Sequence, residues 1–164
     1  MNKNITVPEL SYLAGIIEVK GVISFIYDTT KTTANYPEFY PSLELILKDK
    51  ELVYSVQSLV QCGTVSPRKT SSKVRWKILL KHKDCVEVLE VIKPYVSTEN
   101  FKRQIFVTEQ FYKWKIKIMA GKLYKLNNLK YVLEGMERFR SLLAEAKQLK
   151  TDGNFSRLTS FKKL

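Results

Sequence analysis

The spacing of apolar residues changes abruptly from a helical pattern to a strand pattern at Gly21. Before this glycine, apolar residues recur three or four positions apart, as on one face of an α-helix: Leu10, Leu13, Ala14 and Ile17. After it, residues 22–27 are rich in β-branched and aromatic side chains, which is typical of a strand. The pattern therefore predicts a helix that ends on Gly21 and runs directly into a strand.

The same signals continue along the chain and define an order of elements. A second strand is predicted over residues 42–48, after a polar, proline-containing segment, residues 29–41, that is predicted to be a long loop or a hairpin tip. Asp49 caps a helix that Gly63 ends, residues 64–81 form a hairpin, and residues 83–95 form a third helix. The order α-β-β-α-β-β-α favours an α+β fold, with a four-stranded antiparallel sheet and helices on one face.

Two further helical patterns, over about residues 99–114 and 126–149, follow this unit. The last segment, residues 150–164, is polar and basic, so we expect a tail that becomes ordered only on a partner. We predict one nucleic-acid-binding domain over residues 1–120, with a C-terminal helix and basic tail, residues 121–164, packed on the same domain.

The charge balance is strongly basic, with 28 Lys and Arg residues against 16 Asp and Glu residues and a formal net charge of +12. Such an excess predicts a polyanionic partner, either nucleic acid or an acidic membrane surface, and the clustering of the charge favours nucleic acid. Basic subunits of large assemblies are the alternative class. No apolar run approaches the ~20 residues of a membrane span, so we expect a soluble protein. Cys62, Cys85 and His82 lack the spacing of a zinc site.

The predicted hairpin alternates cations with apolar residues. On its second strand the cations are Lys73, Arg75 and Lys77, and on its first strand they are Arg68 and Lys69. Because successive strand residues point to opposite faces, one face of the hairpin is predicted to be cationic. No acid occurs between Glu51 and Asp84. We interpret the cationic face as a nucleic-acid-binding surface; the alternative is an ordinary solvated sheet face.

A second basic set lies further along the chain and is also predicted to contact nucleic acid: Lys102, Arg103, Lys113, Lys115 and Lys117. Aromatic residues interleave with these cations, which suits phosphate contacts and base stacking. Phe111 and Trp114 are three positions apart, so we expect both to pack inward while the lysines stay in water.

The motif at residues 13–21 resembles that of the LAGLIDADG homing endonuclease family in its single-motif form. The matching residues are Leu13, Ala14, Gly15, Ile17 and Gly21, and a strand follows directly. The resemblance implies the αββαββα order, with an antiparallel four-stranded saddle sheet, helices on one face and a C-terminal helical extension. The segment over residues 93–104 resembles the proline-aromatic segment that the family places before its next helix.

In that family the last turn of the motif helix supplies an acid that binds a divalent metal. The matching residue here is Lys20, and an ammonium group offers no lone pair to a metal at neutral pH. Glu18 lies two residues earlier, about 200° away around a helix. The positions that organise the catalytic water in the family, Leu47 and Glu51 here, also depart from its pattern. We therefore expect no catalytic residue, no metal cofactor and no enzyme activity, with Lys20 as a vestigial position.

The family also packs its motif helix against a second copy. Gly15 and Val19 are four positions apart and are the predicted partner-helix face. Val19 is larger than the glycine or alanine that the family prefers there. In a symmetric dimer two Lys20 ammonium groups at ~6 Å would repel by about 3 kcal/mol at an effective dielectric near 20. We therefore expect a monomer whose motif helix meets a different molecule, and a homodimer is disfavoured.

These inferences favour a non-catalytic nucleic-acid-binding protein derived from a homing endonuclease. We expect it to bind structured RNA in preference to DNA, as an organellar ribonucleoprotein or ribosomal subunit or as an intron-splicing maturase, in a mitochondrion or chloroplast. The alternative is an active, site-specific LAGLIDADG DNA endonuclease that uses Mg²⁺ at a displaced site with Glu18. A DNA-binding regulator is a third possibility.

Overall fold

A computed structural model describes residues 5–33, 36–70, 73–120 and 129–148 of the chain. The elements are α1 (Val7–Lys20), β1 (Gly21–Thr33), β2 (Tyr36–Leu47), α2 (Lys50–Val60), β3 (Thr64–Thr70), β4 (Lys73–Lys81), α3 (His82–Ile92), a 3₁₀ turn (Lys93–Tyr95), α4 (Glu99–Ala120) and α5 (Leu129–Gln148). The strands form one four-stranded antiparallel sheet in the order β1-β2-β4-β3. The predicted α+β fold is confirmed.

The junction between α1 and β1 depends on Gly21 in a specific way. The glycine has an extended backbone, with φ −76° and ψ 137°, so it is not required for a left-handed turn. A Cβ atom at this position would collide with the Ile17 carbonyl oxygen and lie 3.0 Å from Cδ1 of Leu43. Glycine is therefore needed because the chain passes closely over its own last helical turn and β2.

The helix α2 begins and ends much as its sequence indicates. The Asp49 carboxylate accepts hydrogen bonds from the backbone N–H groups of Glu51 at 2.8 Å and Leu52 at 3.5 Å, which caps the helix. The helix ends at Val60, and the left-handed residue after it is Gln61, with φ 53°. Gly63, the predicted stop, lies two residues further on with φ 83°.

Of the two alternatives for residues 29–41, the long loop is wrong and the hairpin tip is much shorter than predicted, because most of this segment is strand of the β1–β2 hairpin. β1 continues to Thr33 and β2 begins at Tyr36. Pro37 and Pro41 suggested a loop, but both precede Ser42, where the pairing of β2 with β4 begins. Before that point β2 has only β1 beside it, and such an edge is where a strand tolerates proline.

One face of the sheet is covered by helices and holds the core. The sheet side chains on that face are fully buried or nearly so: Ile23, Phe25, Phe39, Leu43, Leu45, Leu47, Ile78 and Leu80. α4 is longer than the predicted 99–114 and carries Phe111 and Trp114 into this core, as expected. Phe111 stacks on Phe25 with ring centroids 4.1 Å apart and meets Phe139 of α5 edge to face at 5.4 Å.

The helix α5 packs on α4 and along the outer edge of β1. Lys147 donates a hydrogen bond to the carbonyl oxygen of Ile23 at 2.8 Å, and Arg140 reaches the carbonyl oxygen of Phe25 at 3.4 Å. These cations satisfy backbone acceptors of an edge strand, which protects the edge from pairing with another chain. The predicted basic tail, residues 150–164, lies outside the described residues. Within the described ranges, no helix has the length and apolar character needed to cross a bilayer.

Candidate nucleic-acid interface

The face of the sheet opposite the described helices, which we call the open face, forms a groove with a volume of about 420 Å³. The strand register builds it from cross-strand rows. In the central row Val22 of β1 pairs with Glu44 of β2, which pairs with Leu79 of β4. The lining residues come from all four strands: Val22, Ser24, Ile26, Tyr40, Ser42, Glu44, Ile46, Arg68, Leu79 and Lys81.

Four cations of this face come from β3 and β4. Arg68 and Arg75 pair across the hairpin, Arg75 is exposed, and Lys77 and Lys81 are half-buried. The strand register also fixes the backbone positions of the two other predicted hairpin cations, since Lys69 lies opposite Val74 and Lys73 lies opposite Thr70.

An acidic residue, Glu44, lies among these cations, whereas the hairpin sequence predicts a purely cationic face. Glu44 accepts a hydrogen bond from Arg68 at 3.0 Å, and its other carboxylate oxygen lies 3.9 Å from Nζ of Lys77. Glu44 belongs to β2, outside the acid-free stretch between Glu51 and Asp84, so the sequence of the hairpin did not predict an acid on this face. Both ion pairs are partly exposed, and such pairs contribute about 0–1 kcal/mol. A phosphate can therefore compete with Glu44 for Arg68 and Lys77.

One end of the groove carries a network that the sequence does not indicate. The Tyr40 ring lies under Lys81 Nζ at 5.2 Å and beside the His82 ring at 4.2 Å. His82 has a left-handed backbone, with φ 54°. Its Nε2 lies 3.2 Å from Glu38 and its Nδ1 lies 3.3 Å from Nζ of Lys115. A neutral ring with its proton on Nε2 donates to Glu38 and accepts from Lys115.

The environment of this network disfavours charge on both basic groups. Partial burial, together with the nearby Lys115, holds the pKa of His82 below its ordinary value, although Glu38 opposes the shift. Burial also lowers the pKa of Lys115, again against Glu38. Lys115 is only 7% exposed, so this predicted nucleic-acid contact lies inside the protein.

The second basic set does not share the open face of the sheet, because α4 lies in the helical layer on the opposite side. Lys113 and Lys117 are exposed there, Lys102 is half-buried and Arg103 is 4% exposed. The helical repeat explains the scatter: residues 113 and 117 share a face, while 115 points about 200° away from 113. The structure thus separates the two predicted basic sets.

The Glu18 carboxylate is engaged at the start of α4. Its carboxylate accepts hydrogen bonds from the backbone N–H of Ser97 at 3.0 Å and of Thr98 at 2.6 Å, and from the Ser97 hydroxyl at 3.0 Å. The carbonyl of Thr98 in turn accepts from Lys102 N–H, so Glu18 binds at the N-terminus of α4, where negative charge is favourable. Partial burial raises the pKa of Glu18, but the hydrogen bonds from Thr98 and Ser97 outweigh this and keep the pKa below 4.5.

We expect Glu18→Gln to lower the free energy of unfolding by about 1–2 kcal/mol at pH 7, as the loss of a helix cap does. The pKa of Glu18 in the folded chain lies below its ordinary value, so its stabilisation is complete above about pH 4.5 and is lost as pH falls through the folded pKa. Urea unfolding of both proteins between pH 3 and 7 measures this. A stability difference that does not shrink in acid would contradict the role assigned to this carboxylate.

The residues at the end of α1 do not fit the divalent metal that the family resemblance implies. Lys20 is exposed in the last turn, and the Glu18 oxygens already accept from Ser97 and Thr98. Throughout the part of the chain that the structure describes, no group of three or more His, Cys, Asp or Glu side chains could hold a metal ion. Of the two supporting positions, Leu47 is buried and Glu51 is exposed beside the Asp49 cap.

The outward face of α1 is apolar. Val19 is 72% exposed and Tyr12 is 51% exposed, and a Cβ atom on Gly15 would meet nothing within 4 Å. With Leu47 and Leu52 these residues line a shallow depression of about 410 Å³. Gly15 and Val19 thus lie on one accessible face, and their contact with a partner helix stays a prediction.

Comparison with known proteins relates the chain by structure alone. No protein-family model matches the sequence, and no curated protein matches it. Among solved structures, the homing endonuclease I-CvuI in complex with the I-CreI target superposes with a TM-score of 0.64 at 16% identity, over 89% of this chain and 86% of that one. The group I intron-encoded homing endonuclease I-CeuI, complexed with DNA, gives 0.64 at 14% identity, over 85% and 70%. The homing endonuclease I-TnaI gives 0.58 at 14% identity, over 84% and 97%.

These neighbours correct one prediction. The expectation that the chain is not an enzyme is wrong, because the proteins with which it shares its fold are homing endonucleases, and I-CvuI was crystallised with target DNA and Mg or Ca. The expectation was drawn from single positions, Lys20, Leu47 and Glu51, whereas the neighbours match the fold over most of the chain. The resemblance read from residues 13–21 is confirmed as to fold: this chain has the single-motif LAGLIDADG homing endonuclease fold.

Proposed function

We propose that this chain is a site-specific DNA-binding protein of the homing endonuclease class, and that its substrate is a duplex lying across the open face of the sheet. The observation that carries the proposal is the groove on that face, which Arg68, Arg75, Lys77 and Lys81 flank. Proteins of the same fold are complexed with DNA.

The shape and charge of this face suit a duplex. The major groove of B-DNA is about 12 Å wide and admits a two-stranded β-ribbon, such as the β3–β4 hairpin. Its phosphates would meet Arg75 first, because Arg75 and Arg68 are both exposed but Arg68, like Lys77, is shared with Glu44. Cleavage of the bound duplex is the reaction that the class of these neighbours implies, and it is part of the proposal.

The experiment is a selection from a random duplex library, followed by binding measurements on the selected site. We expect saturable binding with a steep salt dependence, a log-log slope near −5 if about six phosphates are neutralised. The same sequence as an RNA duplex should bind more weakly, because the deep, narrow major groove of A-form RNA excludes a β-ribbon. Equal or tighter binding to RNA would favour the ribonucleoprotein or maturase role instead.

The selected duplex is then incubated with Mg²⁺ or Mn²⁺ and the wild-type chain. Cuts confined to the selected site would establish cleavage, and they would require metal ligands other than Lys20 and Glu18. Glu18→Gln is the informative variant because Glu18 caps α4. Since its carboxylate is engaged there, cutting should persist in this variant below its melting temperature. Loss of cutting in the folded variant would indicate that Glu18 binds the metal. Binding without cutting would limit the function to DNA recognition.

A further inference from the structure

The floor of the groove is more apolar than an uncovered sheet face normally is. Antiparallel sheets usually present polar residues to water on their open side. Here Val22 is 51% exposed, and Ile26, Ile46 and Leu79 are partly exposed on the same face. They come from three neighbouring strands and surround Glu44, which lies between Val22 and Leu79, so together they form a largely apolar floor beside the cations of β3 and β4.

Three polar residues of the floor, Ser42, Glu44 and Tyr40, are bonded or covered within the protein. The Ser42 hydroxyl donates to the carbonyl oxygen of Ser24 at 3.3 Å, and Ser42 is 3% exposed. Glu44 accepts from Arg68 at 3.0 Å. Tyr40 is 4% exposed beneath Lys81 and His82. A ligand in the groove therefore meets mainly the methyl and methylene groups of the apolar floor.

The chemical groups that bases expose in the major groove determine which bases can contact such a floor. Most base edges there present hydrogen-bond donors and acceptors, and an apolar side chain against them leaves those groups without partners, which costs affinity. The 5-methyl group of thymine is the apolar exception. The cations of β3 and β4, beside the floor, complement phosphates that border the groove of the duplex.

We propose that the apolar floor, Val22, Ile26, Ile46 and Leu79, reads thymine methyl groups, so that the preferred ligand is a duplex with thymines where it meets the floor. This inference rests on the proposed binding of duplex DNA by the open face, and it adds a specificity. It also gives a chemical reason for discrimination against RNA, because uracil lacks the methyl group.

The test replaces thymine by deoxyuridine in the selected duplex, which removes only the methyl groups. Affinity should fall about fourfold for each methyl in contact with the floor, the equivalent of about 0.8 kcal/mol per buried carbon group. Two contacts would give a loss of about 15-fold. Fluorescence anisotropy with the paired thymine and uracil duplexes measures this ratio directly.

The variants assign the effect to the floor. Val22→Thr replaces one methyl by a hydroxyl at nearly constant shape on an exposed strand position, and Val22→Thr with Leu79→Thr weakens two contacts. The single variant should lower the thymine-to-uracil affinity ratio, the double variant should lower it further, and both should leave the affinity for the uracil duplex nearly unchanged. Val91→Thr is the matched control, because Val91 is 39% exposed on α3, away from the groove. It should keep the full ratio.

The outcomes separate the two proposals. Binding of both duplexes with equal affinity by the wild-type chain would overturn thymine reading and leave duplex binding intact. A full ratio in both floor variants, with melting temperatures showing that they are folded, would also overturn it. Failure of the wild-type chain to bind any duplex would overturn the proposed function and the specificity with it.

Discussion

Reversing the charge of Arg75 and Lys77 together, as Arg75→Glu with Lys77→Glu, should weaken duplex DNA binding by about 100-fold at physiological salt. Each phosphate that a cation neutralises raises the binding affinity about fivefold at ~0.15 M salt. Loss of two such contacts therefore lowers the affinity, and repulsion by the two new carboxylates lowers it further. The log-log salt slope should become shallower by about two. Titrations of the selected duplex at several salt concentrations measure both quantities.

The second basic set supplies the control. Lys113→Glu with Lys117→Glu makes the same change of net charge on exposed positions of α4, on the opposite side of the molecule. If DNA lies on the open face of the sheet, this variant should lose affinity only through the altered net charge, by a few-fold and without a change in salt slope. A larger loss than in the Arg75 and Lys77 variant would place the nucleic acid on α4 instead.

Replacing Phe111 by alanine should have the largest effect on stability, a loss of about 3–5 kcal/mol in the free energy of unfolding. The ring is fully buried and joins the sheet to both C-terminal helices through Phe25, Phe39, Trp114 and Phe139. In a chain of this size such a loss lowers the melting temperature by about 10 °C or more.

Differential scanning calorimetry measures this, with Tyr131→Ala as the matched control. Tyr131 is an aromatic residue of α5 that is 42% exposed, so its loss should change stability by about 0.5 kcal/mol or less. If Phe111→Ala and Tyr131→Ala had similar melting temperatures, the ring cluster between α4, α5 and the sheet would not be formed in solution.

In both the proposed DNA site and the α4 cap, the role of a charged group depends on partners that are distant in the sequence. Glu18 binds Ser97 and Thr98, which are 79 and 80 residues away, and Glu44 binds Arg68, which is 24 residues away. Each contact changes an expectation drawn from neighbours in the sequence. Glu18, the alternative metal ligand, caps α4, and the cationic face contains an acid, Glu44.

The sequence by itself determined the features that depend on local spacing. Helix and strand periodicity, the Asp49 cap and the apolar alternation of β2 and β4 predict which elements form and which side of the sheet is buried. These signals act over a few residues, so they can be recognised in the sequence without knowledge of the fold. The resemblance at residues 13–21 depends on the same local pattern, and it predicted the fold correctly.

Only the tertiary structure decided which side chains of different strands and helices share a surface. Strand order and register place Glu44 beside Arg68 and Lys77, let β2 contain two prolines, and assemble the apolar floor from three strands. Burial of α4 turned Lys115 inward and left Lys113 and Lys117 on the opposite side from the groove. The physical reason is that register and packing minimise the free energy of the whole core, which no window of a few residues contains.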